Sequence, residues 1–196
     1  MAILPLNYVP LTELDSVNNL LLSIGQSPVN TLSVPGVKDV SIAQLILHDT
    51  SREVQSKGWS YNVDSAYPMP RDVDGTIPIP ANVLQIVPDD DTYVERARKL
   101  YDTGNRSFTV GADAKVTAEV TWFLAFEDLP QIARKYIERR AGRLFQAQII
   151  GSQILHQYNL QMESEAAAEH DRYQLRSRKV NFFSSPAQIN RIYNRS

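Results

Sequence analysis

The chain has no cysteine. Disulfide frameworks, thiol nucleophiles and thiolate metal sites are therefore excluded. Glycine is scarce, with eight in 196 residues, and none falls in a GxGxxG, P-loop or GxSxG arrangement. Glycine-built phosphate cradles and nucleophile elbows go with that absence. No apolar run reaches the roughly 18 residues of a membrane span, so no membrane insertion is expected. The opening MAILPLNYVP has neither Lys nor Arg and no extended apolar stretch; it does not read as a secretory signal. A reducing cytoplasm, or an assembly built there, is the expected setting. Histidine is limited to His48, His156 and His170. The last two fall on one predicted helix about 21 Å apart along its axis. They cannot share a metal, and no HExxH spacing exists. No metal, cofactor or catalytic residue is assigned.

Apolar residues make up 43% and charged residues 21% of the chain, the balance of a globular protein with a core. The net charge of −2 hides a split. Residues 1–128 carry nine basic and 17 acidic side chains, net −8; residues 129–196 carry eleven and five, net +6. Such polarity lets a basic part meet a neighbour's acidic part, or nucleic acid.

Thr12 and Asp15 frame a capping box, and Leu14, Val17, Leu21 and Ile24 repeat at helical spacing up to Gly25, which predicts a helix over 13–24. A second is predicted over 39–57, with Ala43, Ile46, Leu47, Thr50 and Val54 on one side and Gly58 as its stop. Five prolines between positions 68 and 88 exclude helix there. Short strands are predicted at 77–79, 83–87, 93–96 and 99–101. The turn Asp102-Thr103-Gly104-Asn105 leads to a returning strand at 106–110, and a longer strand covers 115–126. Two long helices follow. The first opens at Leu129-Pro130 and ends at Gly151; the second covers 152–176, with Leu155, Tyr158, Met162, Ala166, Glu169 and Tyr173 at helical spacing. The expected fold is α+β: a four-helix core from the two chain ends (1–59 and 127–179), an inserted antiparallel β-domain (60–126) and a C-terminal arm (180–196).

Asp89-Asp90-Asp91 reads as a solvated acidic loop, and Glu127-Asp128 as dipole capping of the following helix, adjacent carboxylates being badly placed for glycoside hydrolysis. The basic cluster Arg134, Lys135, Arg139, Arg140 and Arg143 is open to three readings: a solvated helix face, a contact with a partner's acidic surface, or a contact with DNA phosphates. Lys135, Arg139 and Arg143 lie on one helical line. The arm holds Phe182, Phe183, Ile189, Ile192 and Tyr193, too apolar for a purely solvated tail; it would pack on its own domain or on a neighbouring subunit.

Five stretches in order are similar to one family: SVNNLLLSIGQSPVNTL at 16–32, ILHDTSREVQSKGWSYN at 46–62, LYD at 100–102, FEDLPQIARKYIERRAGRLFQ at 126–146 and ESEAAAEHDRY at 163–173. Together they make the chain resemble the tail tubular protein A family, head-to-tail adaptors of short-tailed, podovirus-type bacteriophages. The likeness spans roughly residues 12–175. It implies a homo-oligomeric ring of twelve subunits in the virion, between the portal protein and the tail nozzle protein and near the tail fibres. DNA would cross its channel with transient nonspecific contacts. It also implies a helical core, an inserted β-domain and an arm reaching a neighbour. Lys135, Arg139 and Arg143 with the apolar arm residues are the expected subunit or portal contacts. A tail-associated hydrolase of cell-surface polysaccharide is the alternative, without a supporting constellation in the sequence.

Overall fold

Two helices, five short strands and two longer helices succeed one another along the chain. The structure is a computed structural model and describes residues 9–33, 38–111 and 114–177. It is an α+β fold with four helices and small antiparallel sheets. The elements are α1 (Glu13–Ser23), α2 (Lys38–Gln55), β1 (Val63–Met69), β2 (Val83–Pro88), β3 (Tyr93–Arg96), β4 (Lys99–Asp102), β5 (Val116–Trp122), α3 (Gln131–Ile149) and α4 (Gln153–Ser177).

The capping box of α1 forms: the Thr12 hydroxyl accepts from the Asp15 amide at 3.1 Å, and the Asp15 carboxylate accepts from the Thr12 amide at 3.1 Å. Two of the four orphan donors of the first turn are thereby paired. Gly25, at φ +79°, ends the helix in a conformation that a Cβ would penalise. One apolar cluster joins the helices. Val17, Leu20 and Leu21 of α1 meet Ala43, Leu47 and Val54 of α2 and Ala133, Ile137, Ala141 and Phe145 of α3. Helix α4 runs antiparallel along α3, with Arg143 beside Glu163 and Tyr136 beside His170.

The strands enclose a second apolar cluster of Met69, Ile77, Ile79, Val83, Ile86, Leu100, Val110, Val116, Ala118 and Val120. Strand β5 is central in the order β1-β5-β2, both pairings antiparallel, and β3-β4 form a separate hairpin. Alternation along β5 buries Val116, Ala118 and Val120. Thr121, on the opposite face, is buried as well. The α2–β1 connection covers it: a Cβ built on Gly58 would stand 3.5 Å from the Thr121 hydroxyl.

Three side-chain amides stitch that connection to both clusters. Gln55, with no exposed surface, donates from Nε2 to the Leu124 carbonyl at 3.1 Å and accepts from the Leu124 amide at 2.8 Å. Asn62 donates to the carbonyls of Gln55 (3.0 Å) and Trp122 (2.8 Å). Gln174, on α4, accepts from the Ser60 amide at 2.9 Å. Each amide replaces the ladder partner that a strand end lacks.

Several expectations are corrected. Strand β1 was not anticipated: Pro68 sits in it, and a bulge between Asp64 and Tyr67, with Ala66 at φ +53°, breaks the two-residue alternation. No strand forms over 106–110. The Asp102 carboxylate accepts from the backbone and side chain of Asn105 (both 2.8 Å), Arg106 takes φ +53°, and one bridge from Asp102 to Ser107 closes the turn before the chain leaves toward Gly75. Residues 77–79 make one bridge, Pro78 to Lys99, because Pro78 and Pro80 have no amide to donate. Strand β5 stops at Trp122, and Phe126 joins the helical cluster. On α4 the buried positions are Glu163, Ala166, His170 and Gln174; of the six residues at expected stripe positions only Ala166 is buried.

Candidate assembly surfaces

The basic residues of α3 divide by what they hold. Arg134 is buried and donates to the carbonyls of Leu129 (2.8 Å), Leu11 (2.8 Å) and Glu127. It clasps the segment before α1 to the start of α3. Arg140 bridges Glu53 of α2 at 2.5 Å and Glu163 of α4 at 3.1 Å, and Arg143 also binds Glu163. Burial opposes charge on Arg140, yet the hydrogen bond and charge of Glu53, with a smaller pull from Glu163, hold its pKa above the ordinary value. Two of the cluster's cations thus fasten α4 to the bundle. Lys135 binds the buried Glu138 at 3.1 Å, and Arg139 stands 4.0 Å from the same carboxylate. Arg139 also donates to the Met162 sulfur of α4 at 3.8 Å; Lys135 and Arg139 are 35% and 34% exposed, Arg143 16%.

The acidic loop closes on itself. The Asp90 carboxylate accepts from the Thr92 amide at 2.9 Å and from the Thr92 hydroxyl, and these bonds hold its pKa below the usual carboxylate range. Asp89 accepts from the Thr117 hydroxyl. Glu127 accepts from the Glu13 amide at 3.1 Å, so the carboxylate before α3 also supports the first turn of α1. Among the described residues no group of three His, Cys, Asp or Glu side chains is placed to hold a metal ion, and no helix is long and apolar enough to cross a membrane. Phe182, Phe183, Ile189, Ile192 and Tyr193 lie outside the described residues.

Two apolar surfaces stay largely uncovered by the described residues. The first is a ridge on the first half of α4: Ile154, Leu155, Tyr158 and Met162, 41–69% exposed, with Ile150 just before the helix. At 100° per residue these four helical positions span one 100° arc beside the arc of Glu163, Ala166, His170 and Gln174 that packs inward. The second is a groove of about 800 Å³ between α2 and α3, lined by Ile42, Leu45, Ile46, Leu144 and Ile149, with Asp49 and Glu53 at its edge. Hydropathy periodicity alone did not separate the ridge from a core stripe. A different signal marks it: from Leu144 to Met162 the chain has 19 residues without a single Asp, Glu, Lys or Arg.

Comparison to known proteins supplies a structural family. The family model of the tail tubular proteins matches residues 14–180. The chain belongs to the tail tubular protein family. No curated protein matches it. A tail tubular protein is a structural component of a phage tail, which places this chain in the virion tail. Of the elements described for this tail tubular protein, the match takes in every strand and helix except the first residue of α1, and the surfaces above belong to the matched region.

Proposed function

We propose that this tail tubular protein is the head-to-tail adaptor: a closed ring, twelve subunits in number, seated between the portal and the tail nozzle, through which DNA leaves the capsid. The family match over 14–180 carries the reading. The charge split supports it, because a ring repeats one heterologous contact and needs unlike faces on each subunit. In this proposal the helices (1–59 with 127–179) form the ring body, the segment 60–126 faces the nozzle, and the arm 180–196 engages a neighbouring subunit through Phe182, Phe183, Ile189, Ile192 and Tyr193. Lys135 and Arg139 face a subunit or portal surface. Arg143 contributes by holding α4 in place through Glu163. DNA makes only weak, nonspecific contacts in passing, since tight phosphate binding would arrest it.

The test is electron imaging of the purified full chain, alone and mixed with portal. Twelvefold rings, free or on the portal, are the expected result. A chain that stays monomeric with portal present overturns the adaptor reading.

A further inference from the structure

The ridge on α4 and the groove between α2 and α3 form a complementary pair. Ile150, Ile154, Leu155, Tyr158 and Met162 are 41–69% exposed. At roughly 150–250 Å² for a large side chain, their exposed apolar area is on the order of 500 Å². A standard interface buries about 800 Å² per partner, a little over half of it apolar. The ridge thus supplies the apolar share of one side of a stable contact. It is flanked by Gln153, Gln157 and Gln161, a row of neutral amides at four-residue spacing. Charge depletion at the centre with polar groups at the rim is the composition of an interface core.

The same chain carries a receptor of matching character. The groove floor is Ile42, Leu45, Ile46, Leu144 and Ile149, and Leu45 is 61% exposed. Asp49 at its edge can accept from a flanking glutamine amide. Ridge and groove open on different sides of the α3–α4 hairpin. Met162 of the ridge lies by Asn19, Leu20 and Ser23 of α1, whereas the groove belongs to α2. Within the described residues the ridge does not line the groove of its own subunit. A second copy can bring its ridge there, and it leaves its own groove free for a third.

We infer that the Ile154–Tyr158 ridge of one subunit seats in the Leu45–Ile149 groove of the next, a heterologous contact between copies of this chain. The inference rests on the ring reading and names the surfaces that close the ring. The test uses the full chain with Ile154→Glu and Tyr158→Glu together (ridge broken) and with Leu45→Glu (groove broken). Circular dichroism checks that each stays folded, and sedimentation measures assembly. Each variant alone is expected to associate at least tenfold more weakly than the wild type. An equimolar mixture is expected to form a 1:1 pair that grows no further, because one intact ridge meets one intact groove. Wild-type assembly by either variant overturns the inference. So does a mixture that stays monomeric, or a wild-type chain that is monomeric at every concentration. Twelvefold rings seen on portal with these variants would leave the adaptor reading standing while removing this contact from it.

Discussion

Gln55 shows how one side chain can join two parts of a chain. Its amide pairs both backbone groups of Leu124 and the Ser51 hydroxyl at 2.8–3.1 Å, in a site without solvent. Replacing it by alanine strands the part-buried N–H and C=O of Leu124. Each stranded group costs about 1–3 kcal/mol, so Gln55→Ala should lower unfolding stability by about 3 kcal/mol, read from the urea midpoint. His170 is the second residue of this kind. It is fully buried against Trp59, Tyr61 and Tyr136, with the Tyr61 hydroxyl 3.3 Å from Nε2. Burial pushes its pKa below the ordinary 6.5; Asp171 opposes that and Lys57 adds to it. The folded state therefore binds fewer protons than the unfolded state. The stability this group contributes is full above 6.5 and is lost as pH falls through the folded-state value. Thermal midpoints measured from pH 7.5 downward should fall, and His170→Gln should flatten the part of that slope beginning near 6.5.

At the level of elements, the two salt-bridge roles on α3 separate by mutation. Arg143→Glu removes a partner of the buried Glu163 and sets a like charge beside it. A loss of about 3 kcal/mol is expected, visible as a lower melting temperature of the isolated chain. Arg139→Glu touches a half-buried position and sets a like charge near Glu138, so a smaller loss of about 1 kcal/mol is expected; its further effect should appear in salt-dependent assembly or portal binding. Helix starts and stops were legible in the sequence because Thr12, Asp15, Gly25, Gly58 and Gly151 act locally: the capping box forms, and the three glycines take positive φ. Strands β2, β3 and β4 were legible to within a residue or so. Strand β1 was not, since Pro68 and the bulge erase its alternation. Nor was the packing face of α4. It buries Glu163, His170 and Gln174, which are matched by Arg140, Arg143, Tyr61 and the Ser60 amide, and partners distant in sequence leave no periodic trace. The line Lys135–Arg139–Arg143 was visible as a charged row, but whether each member faces inward or outward depends on α4, which the row itself does not encode.

For the whole molecule, the proposed arm offers the cleanest separation of folding from assembly. Among the described residues, the buried members of both apolar clusters lie within residues 17–166. Removing residues 180–196 should therefore leave melting of the monomer unchanged while ring yield falls. Normal ring yield from the truncated chain would assign the arm no part in assembly. The edges of the three-stranded sheet carry a consequence of another sort. Its outer strands are β1 and β2; β1 holds Pro68 and a bulge, and β2 ends at Pro88 after a register shift between Val83 and Gln85. Proline and bulges spoil an edge as a template for another strand. Copies at high concentration would otherwise risk joining sheet to sheet into fibres. Blunted edges suppress that polymerisation, which leaves the proposed contact between copies to the helix-borne ridge and groove.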